Sequence, residues 1–307
     1  MKDVIVTQNL GKYFGKVCAV DQLNLNIRHG EIYGFLGLNG AGKTTTIRML
    51  LGMIKPTSGV TYICGKEIRY NNNDIWKNVG YLVEAPYSYP ELTVRENIEI
   101  VRRLRYISDK GAVENIIDKL KLAQYANRKA KHLSQGNAQR LGLAKALIHN
   151  PEILILDEPS NSLDPAGIVE IRELLLNEVA NMGVTVFISS HILGEISKIA
   201  TRIGIINNGR LIQEVDANQL EQHRQKRLVL NTINNNEAAL VLSKNGFTVN
   251  VNNYGLLEII DKNAIQHPEN IATLLVKENV APTLLQVEEE DLEHYFLRTI
   301  GMKGELK

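Results

Sequence analysis

The chain has 307 residues, 35 basic against 34 acidic side chains for a formal net charge of +1, and 44% hydrophobic residues. At roughly 150 residues per domain that length predicts about two domains with cores of their own, and the balanced charge argues against a basic nucleic-acid-binding face or an acidic disordered tail. No run approaches the roughly 20 apolar residues of a membrane-spanning helix, and the opening MKDVIVTQNL has no apolar signal core, so a cytosolic chain is expected.

In chain order, residues 4–7, 23–27 and 32–36 read as short strands, the last running into a glycine-rich turn. Residues 44–53 carry apolar side chains at helical spacing, and residues 92–122 are helical almost throughout, which predicts a helical block inserted into an α/β body. Beyond it, the apolar runs 153–156 and 184–189 flank the helical stretch 167–183, the look of buried parallel strands joined by a crossover helix. Cys18 and Cys64 are the only cysteines and are expected as small packing residues; the seven histidines lack zinc-site spacing.

After Arg210 the composition shifts toward Asn, Gln and Lys, and EQHRQKR reads as a solvated linker. Strand 227–231, helix 237–245, strand 247–251, a turn at 252–255, strand 256–260, helix 268–279 and strand 283–287 then follow, the split βαβ order of a ferredoxin-like fold. An amphipathic helix over 292–300 closes the chain. The expected boundaries are an α/β domain over 1–215 with a helical subdomain at about 86–150, a linker over 216–226, and a small α+β domain over 227–307.

One segment carries explicit chemistry. Gly37-Leu38-Asn39-Gly40-Ala41-Gly42-Lys43-Thr44 matches GxxxxGK[ST] between a predicted strand and a predicted helix, the context of a P-loop NTPase. Glycines let the loop curl its N–H groups around a polyphosphate, and the helix that follows turns its partly positive end to the same anion. Lys43 adds a full charge to the β- and γ-phosphates, the Thr44 hydroxyl suits Mg2+, and Thr45 is grouped with them as nucleotide-binding. The strand 153–156 then ends in Asp157 and Glu158, which point to opposite sides: Asp157 to hold Mg2+ through water, Glu158 to orient and deprotonate the attacking water.

With Leu133-Ser134-Gln135-Gly136 added, the set resembles the ATP-binding subunits of ABC transporters, over about residues 3–215. The resemblance implies an ABC ATPase fold, ATP with Mg2+, a second copy of the chain, and a separate transmembrane permease that brings it to the inner face of the membrane; no nucleic acid is expected. Ser134 and Gly136 would contact the γ-phosphate held by the partner copy, although the signature reads LSQGN instead of LSGGQ. Phe14 matches the aromatic residue that stacks on adenine, Ser160-Asn161-Ser162-Leu163-Asp164 the loop that communicates across the dimer, and His191 the switch histidine at the γ-phosphate. A soluble ABC-type ATPase acting in a regulatory, nucleic-acid or ribosomal role is the alternative, and a ligand-sensing C-terminal domain a third possibility.

Glu84, in Gly80-Tyr81-Leu82-Val83-Glu84, stands where most of that family has a glutamine that ligates Mg2+ and senses the permease. Its negative charge strengthens attraction for the metal and repels the γ-phosphate. The glutamate, with IRMLLGMIKPTSG and DLEHYFLRTIG, resembles the subunits of bacitracin-resistance and lantibiotic-immunity exporters. The permease contact is expected in the helical block beside Glu84, with Tyr81, Tyr87 and Tyr89 either lining that groove or packing in the core. Glu84→Gln is expected to leave ATP binding intact while changing hydrolysis coupled to the permease; an unchanged ATPase rate and unchanged antibiotic tolerance in cells carrying the whole transporter would remove its special role.

Overall fold

Runs that are apolar at nearly every position, not alternating ones, build the centre of the larger sheet, because those strands are covered on both faces. The computed structural model describes residues 2–69, 74–83, 86–161, 163–179, 183–252 and 254–302. The chain divides into two compact units, the first ending at Asn218 and the second beginning at Gln219.

The first unit comprises β1 (Asp3–Phe14), β2 (Val17–Arg28), β3 (Ile32–Leu36), α1 (Lys43–Leu50), β4 (Ser58–Ile63), β5 (Lys66–Glu67), β6 (Val79–Leu82), α2 (Val94–Leu104), α3 (Ala112–Lys119), α4 (Gln135–Leu147), β7 (Ile153–Asp157), α5 (Pro165–Leu174), β8 (Thr185–Ser190), α6 (Leu193–Ile196), β9 (Arg202–Asn207) and β10 (Arg210–Asp216). Six strands form a sheet in the order β10-β9-β3-β8-β7-β6, and β2-β1-β4-β5 form an antiparallel one. In the larger sheet β9, β3, β8, β7 and β6 are parallel, while β10 runs against β9. The core lies between the sheets: Ile5, Leu23, Leu25 and Ile27 from one meet Tyr33, Phe35, Ile155 and Phe187 from the other, with Ile47 and Leu50 of α1.

Four expected elements differ in extent. β1 and β2 are each 12 residues long, not the short strands at 4–7 and 23–27. Their pairing slips between Thr7 and Leu10, where Asn9 and Gln22 take positive φ, so a bulge breaks the alternation that would have revealed the full length. The helical run 92–122 is interrupted after α2 by Tyr106 at φ 55, and the run 167–183 tightens into α5 followed by a π-helical turn over Leu175–Val179.

The second unit contains α7 (Leu220–His223), β11 (Lys226–Thr232), α8 (Asn235–Lys244), β12 (Val249–Val251), β13 (Leu257–Ile259), α9 (Lys262–Gln266), α10 (Pro268–Lys277), β14 (Pro282–Glu289) and α11 (Leu292–Thr299). Its antiparallel sheet has the order β12-β13-β11-β14, the ferredoxin-like split βαβ arrangement. Leu228, Leu230, Leu257 and Ile259 pack with Leu242 of α8 and Ile271 and Leu275 of α10. The segment 216–226, expected as a solvated linker, is largely exposed but carries local helical structure: a 3-10 turn over Ala217–Gln219 leads into α7, and Leu220 is buried.

Phe187 anchors the first core, with its ring 5.7 Å from Tyr33 and 5.2 Å from Phe35. Phe187→Ala is expected to destabilise the first unit by about 3–5 kcal/mol through the cavity it leaves, read as a lower urea midpoint.

Candidate functional site

Parallel pairing brings the carboxyl ends of three strands to one line. Leu36 of β3 lies beside Ser190 of β8, and Ser189 of β8 beside Asp157 of β7. The loop that leaves β3 is tied there at once, since Gly37 N–H donates to Ser190 O at 3.2 Å. Two of its glycines have no room for a side chain: a Cβ on Gly37 would stand 2.6 Å from Ile206 O, and one on Gly42, at φ +107, would stand 2.4 Å from Ala19 O. The loop therefore curls between β9 and β2 with Asn39 and Gly40 exposed at its tip, Ala41 buried behind it, and Thr45 half-buried in α1.

Lys43 opens α1 as a nearly buried cation, its Nζ donating to Gly37 O at 2.6 Å and Leu38 O at 3.2 Å. The same ammonium lies 3.0 Å from Glu158 Oε1, and His191 Nδ1 lies 3.0 Å from Glu158 Oε2. Thr44 Oγ1 donates to Asp157 Oδ2 at 2.8 Å. Lys43, Thr44, Asp157, Glu158 and His191 are thus brought into one connected group. Its oxygen donors suit a hard divalent cation. Among the described residues no three carboxylate, imidazole or thiol groups gather into a metal-holding cage.

Ser134, Gly136 and Asp164 form a second group. Ser134 caps α4, its Oγ accepting from Asn137 N–H at 3.4 Å and from Asn137 Nδ2 at 3.0 Å; Asp164 caps α5, accepting from Gly167 N–H at 2.9 Å. Both helix starts border a groove of about 660 Å³ that Gly136 and Arg140 also line, and no residue from 37 to 45 lines it. Two helix N-termini face this groove, beside Lys121 and Arg140 and the carboxylates of Asp164 and Glu170. Its walls are pinned by the Arg140–Glu170 ion pair at 2.6 Å and by Gln139 Nε2 donating to Pro159 O at 2.6 Å.

Phe14 stands apart from both groups, about half exposed at the tip of β1 with Lys12 Nζ 5.0 Å above its ring. Glu84 and Ser162 lie outside the described residues. Tyr81 and Tyr87 line a separate groove of about 340 Å³ with Leu104, Arg105 and Lys145, whereas Tyr89 does not. None of the three tyrosines is buried, which removes the core-packing alternative. Burial without a compensating charge lowers the pKa of Arg105 and of Lys145. Sequence reasoning missed Ser189 and Gln139; the only signal for Ser189 was a pair of serines closing an apolar strand just before His191.

The ABC transporter family profile matches residues 20–161. The bacitracin transport ATP-binding protein BcrA of Bacillus licheniformis is 40% identical over 98% of this chain and 98% of its own length. BcrA of Enterococcus faecalis is 37% identical over 99% and 98%. The lantibiotic transport ATP-binding protein SrtF of Streptococcus pyogenes is 39% identical over 67% of this chain and 88% of its own. Among solved structures, a dimeric ATP-binding cassette in a post-hydrolysis state with ADP and Pi superposes with a TM-score of 0.63 at 26% identity, covering 69% of this chain and 98% of that one.

Gly42→Ala puts a methyl group against a backbone oxygen at a φ that an L-residue avoids. The variant is expected to fold with stability lowered by roughly 1–2 kcal/mol and to lose binding of a fluorescent ATP analogue; retained binding would show that the loop does not need this curvature.

Proposed function

We infer the function from one premise: this chain belongs to the ATP-binding subunits of ABC transporters. It is an ATPase coupled to transport. The observation that carries the mechanism is the connected group at the strand ends, which places a cation for phosphate, a pair of oxygen donors for metal and a carboxylate for water within hydrogen-bond reach of one another.

In this reading the 37–45 loop cradles the polyphosphate with its N–H groups, and Lys43 places its ammonium on the β- and γ-phosphates. Phe14 stacks on adenine at the edge of the site. Thr44 and Asp157 would hold Mg2+, with Glu84 the third candidate by its place in the sequence, and the ion would supply positive charge to offset that of the phosphates. Glu158 aligns a water with the γ-phosphorus and takes its proton as the water oxygen bonds to phosphorus and the bond to the β–γ bridging oxygen breaks. His191 holds Glu158 from the other side and lies next to where the γ-phosphate would sit.

The groove between α4 and α5 is the complementary surface. Ser134, Gly136 and Asp164 would meet the nucleotide held by a second copy, so that two chains enclose two Mg·ATP. The dimeric form of the solved relative supports this arrangement. ATP drives closure because it binds the closed pair more tightly than the open one, and hydrolysis releases it.

A separate membrane permease is the partner. Among the described residues no helix is long and apolar enough to cross a membrane, so the chain would reach the membrane's inner face through that permease. The half-exposed aromatic groove with Tyr81 and Tyr87 is where we place the contact. The proposed cargo is a peptide antibiotic of the bacitracin or lantibiotic type, moved outward. Its support is similarity to the BcrA proteins along almost the whole chain, with similarity to SrtF over a smaller share of it. No observation favours a non-transport role.

Glu158→Gln is expected to slow ATP turnover by roughly 10²–10⁴-fold, the usual worth of general-base assistance, with nucleotide affinity nearly unchanged. In sensitive cells that also express the permease, the same variant should lose bacitracin or lantibiotic tolerance. Turnover near that of the wild type would move the base to another residue.

A further inference from the structure

Ser189 is fully buried near the end of β8, beside Asp157 of β7. Its hydroxyl has one proton to give and lone pairs to accept with. Oγ donates to Asp157 Oδ1 at 2.6 Å, and Glu158 N–H donates to the same Oγ at 3.0 Å. Because Asp157 Oδ2 already accepts from Thr44 at 2.8 Å, both oxygens of that carboxylate are held and its plane is set.

The second bond acts on Glu158. This residue sits at φ 47, a left-handed conformation that costs an L-residue roughly 1–2 kcal/mol, so its backbone stays there only if its neighbours hold it. From that backbone its carboxylate reaches both Lys43 and His191 at 3.0 Å. The adjacent Ser190 does a different job, its Oγ accepting from Ile192 N–H at 3.0 Å.

We propose that Ser189 is a positioning residue: one buried hydroxyl locks Asp157 and Glu158 together and thereby sets both the metal-holding carboxylate and the placement of the base. The proposal rests on the ATPase reading above and adds a residue to it. An alanine there removes the donor from Asp157 and leaves the Glu158 N–H without its acceptor, while the phosphate loop keeps all its own contacts.

The test uses the full chain with a non-hydrolysable ATP analogue and Mn2+ in place of Mg2+, followed by electron paramagnetic resonance. Ser189→Ala is expected to weaken Mn2+ binding by roughly 10–100-fold, the usual effect of losing a partner behind a metal ligand. Its affinity for the analogue in EDTA should stay at the wild-type level, and kcat should fall with the Mn2+ affinity. Ser189→Thr, which keeps the hydroxyl, should recover most of the binding; Ser189→Val, of nearly the same shape, should not. If either of these larger residues prevents folding, alanine against wild type decides. Wild-type Mn2+ binding by Ser189→Ala, or equal loss in the threonine and valine variants, overturns the proposal. Asp157→Asn separates the two levels of the account. If it too binds Mn2+ normally, the metal assignment falls together with the Ser189 role; if it alone loses Mn2+, only the Ser189 role falls.

Discussion

Lys43, which opens α1 after the loop from β3, and Asp157, which ends β7, are charged groups held almost completely out of solvent. Taking such charges from water costs several kcal/mol each unless partners and hydrogen bonds replace the lost hydration. Here the replacement depends on three parallel strands, β3, β8 and β7, stopping in line: Lys43 finds two loop carbonyls and Glu158, and Asp157 finds Thr44 and Ser189. A strand end displaced by one residue would turn its side chain to the other face of the sheet and leave a buried charge alone. The continuous burial of those strands is therefore what makes the polar cluster at their tips possible.

The cluster and the groove between α4 and α5 are two separate surfaces of the first unit. The first offers an ammonium, N–H groups and carboxylates; the second offers two helix N-termini and the Ser134 hydroxyl. Gln139 and Arg140 tie the second surface to residues that follow β7, so the strand that ends in Asp157 also leads into the contacts that brace the groove.

Much of the cluster at the strand ends was legible because its residues come in fixed order on recognisable elements: the glycine-rich loop after an apolar strand, and the acidic pair closing another. The ferredoxin-like order of the C-terminal unit was legible for a similar reason, since its strands and helices change period cleanly. What stayed hidden depends on backbone states that no side-chain pattern announces. Asn9 and Gln22 bulge the first two strands, Tyr106 ends α2 in a left-handed turn, and Glu158 adopts a positive φ. Leu220 makes a short helix out of a stretch whose other residues are polar. Ser189 was overlooked because a serine in a buried strand has no signature until its partners are known. The departure of LSQGN from LSGGQ is accommodated here, with Asn137 donating through both its backbone and its side chain to Ser134.

In the proposed function two copies of the chain enclose the nucleotide, since the groove of Ser134 and Asp164 includes none of the chain's own phosphate loop. Molar mass from light scattering tests it most directly, using the slow Glu158→Gln variant with ATP and again with ADP. The account predicts twice the chain mass with ATP and a return to the single-chain mass with ADP. A single-chain mass at saturating ATP, with nucleotide bound, would contradict it.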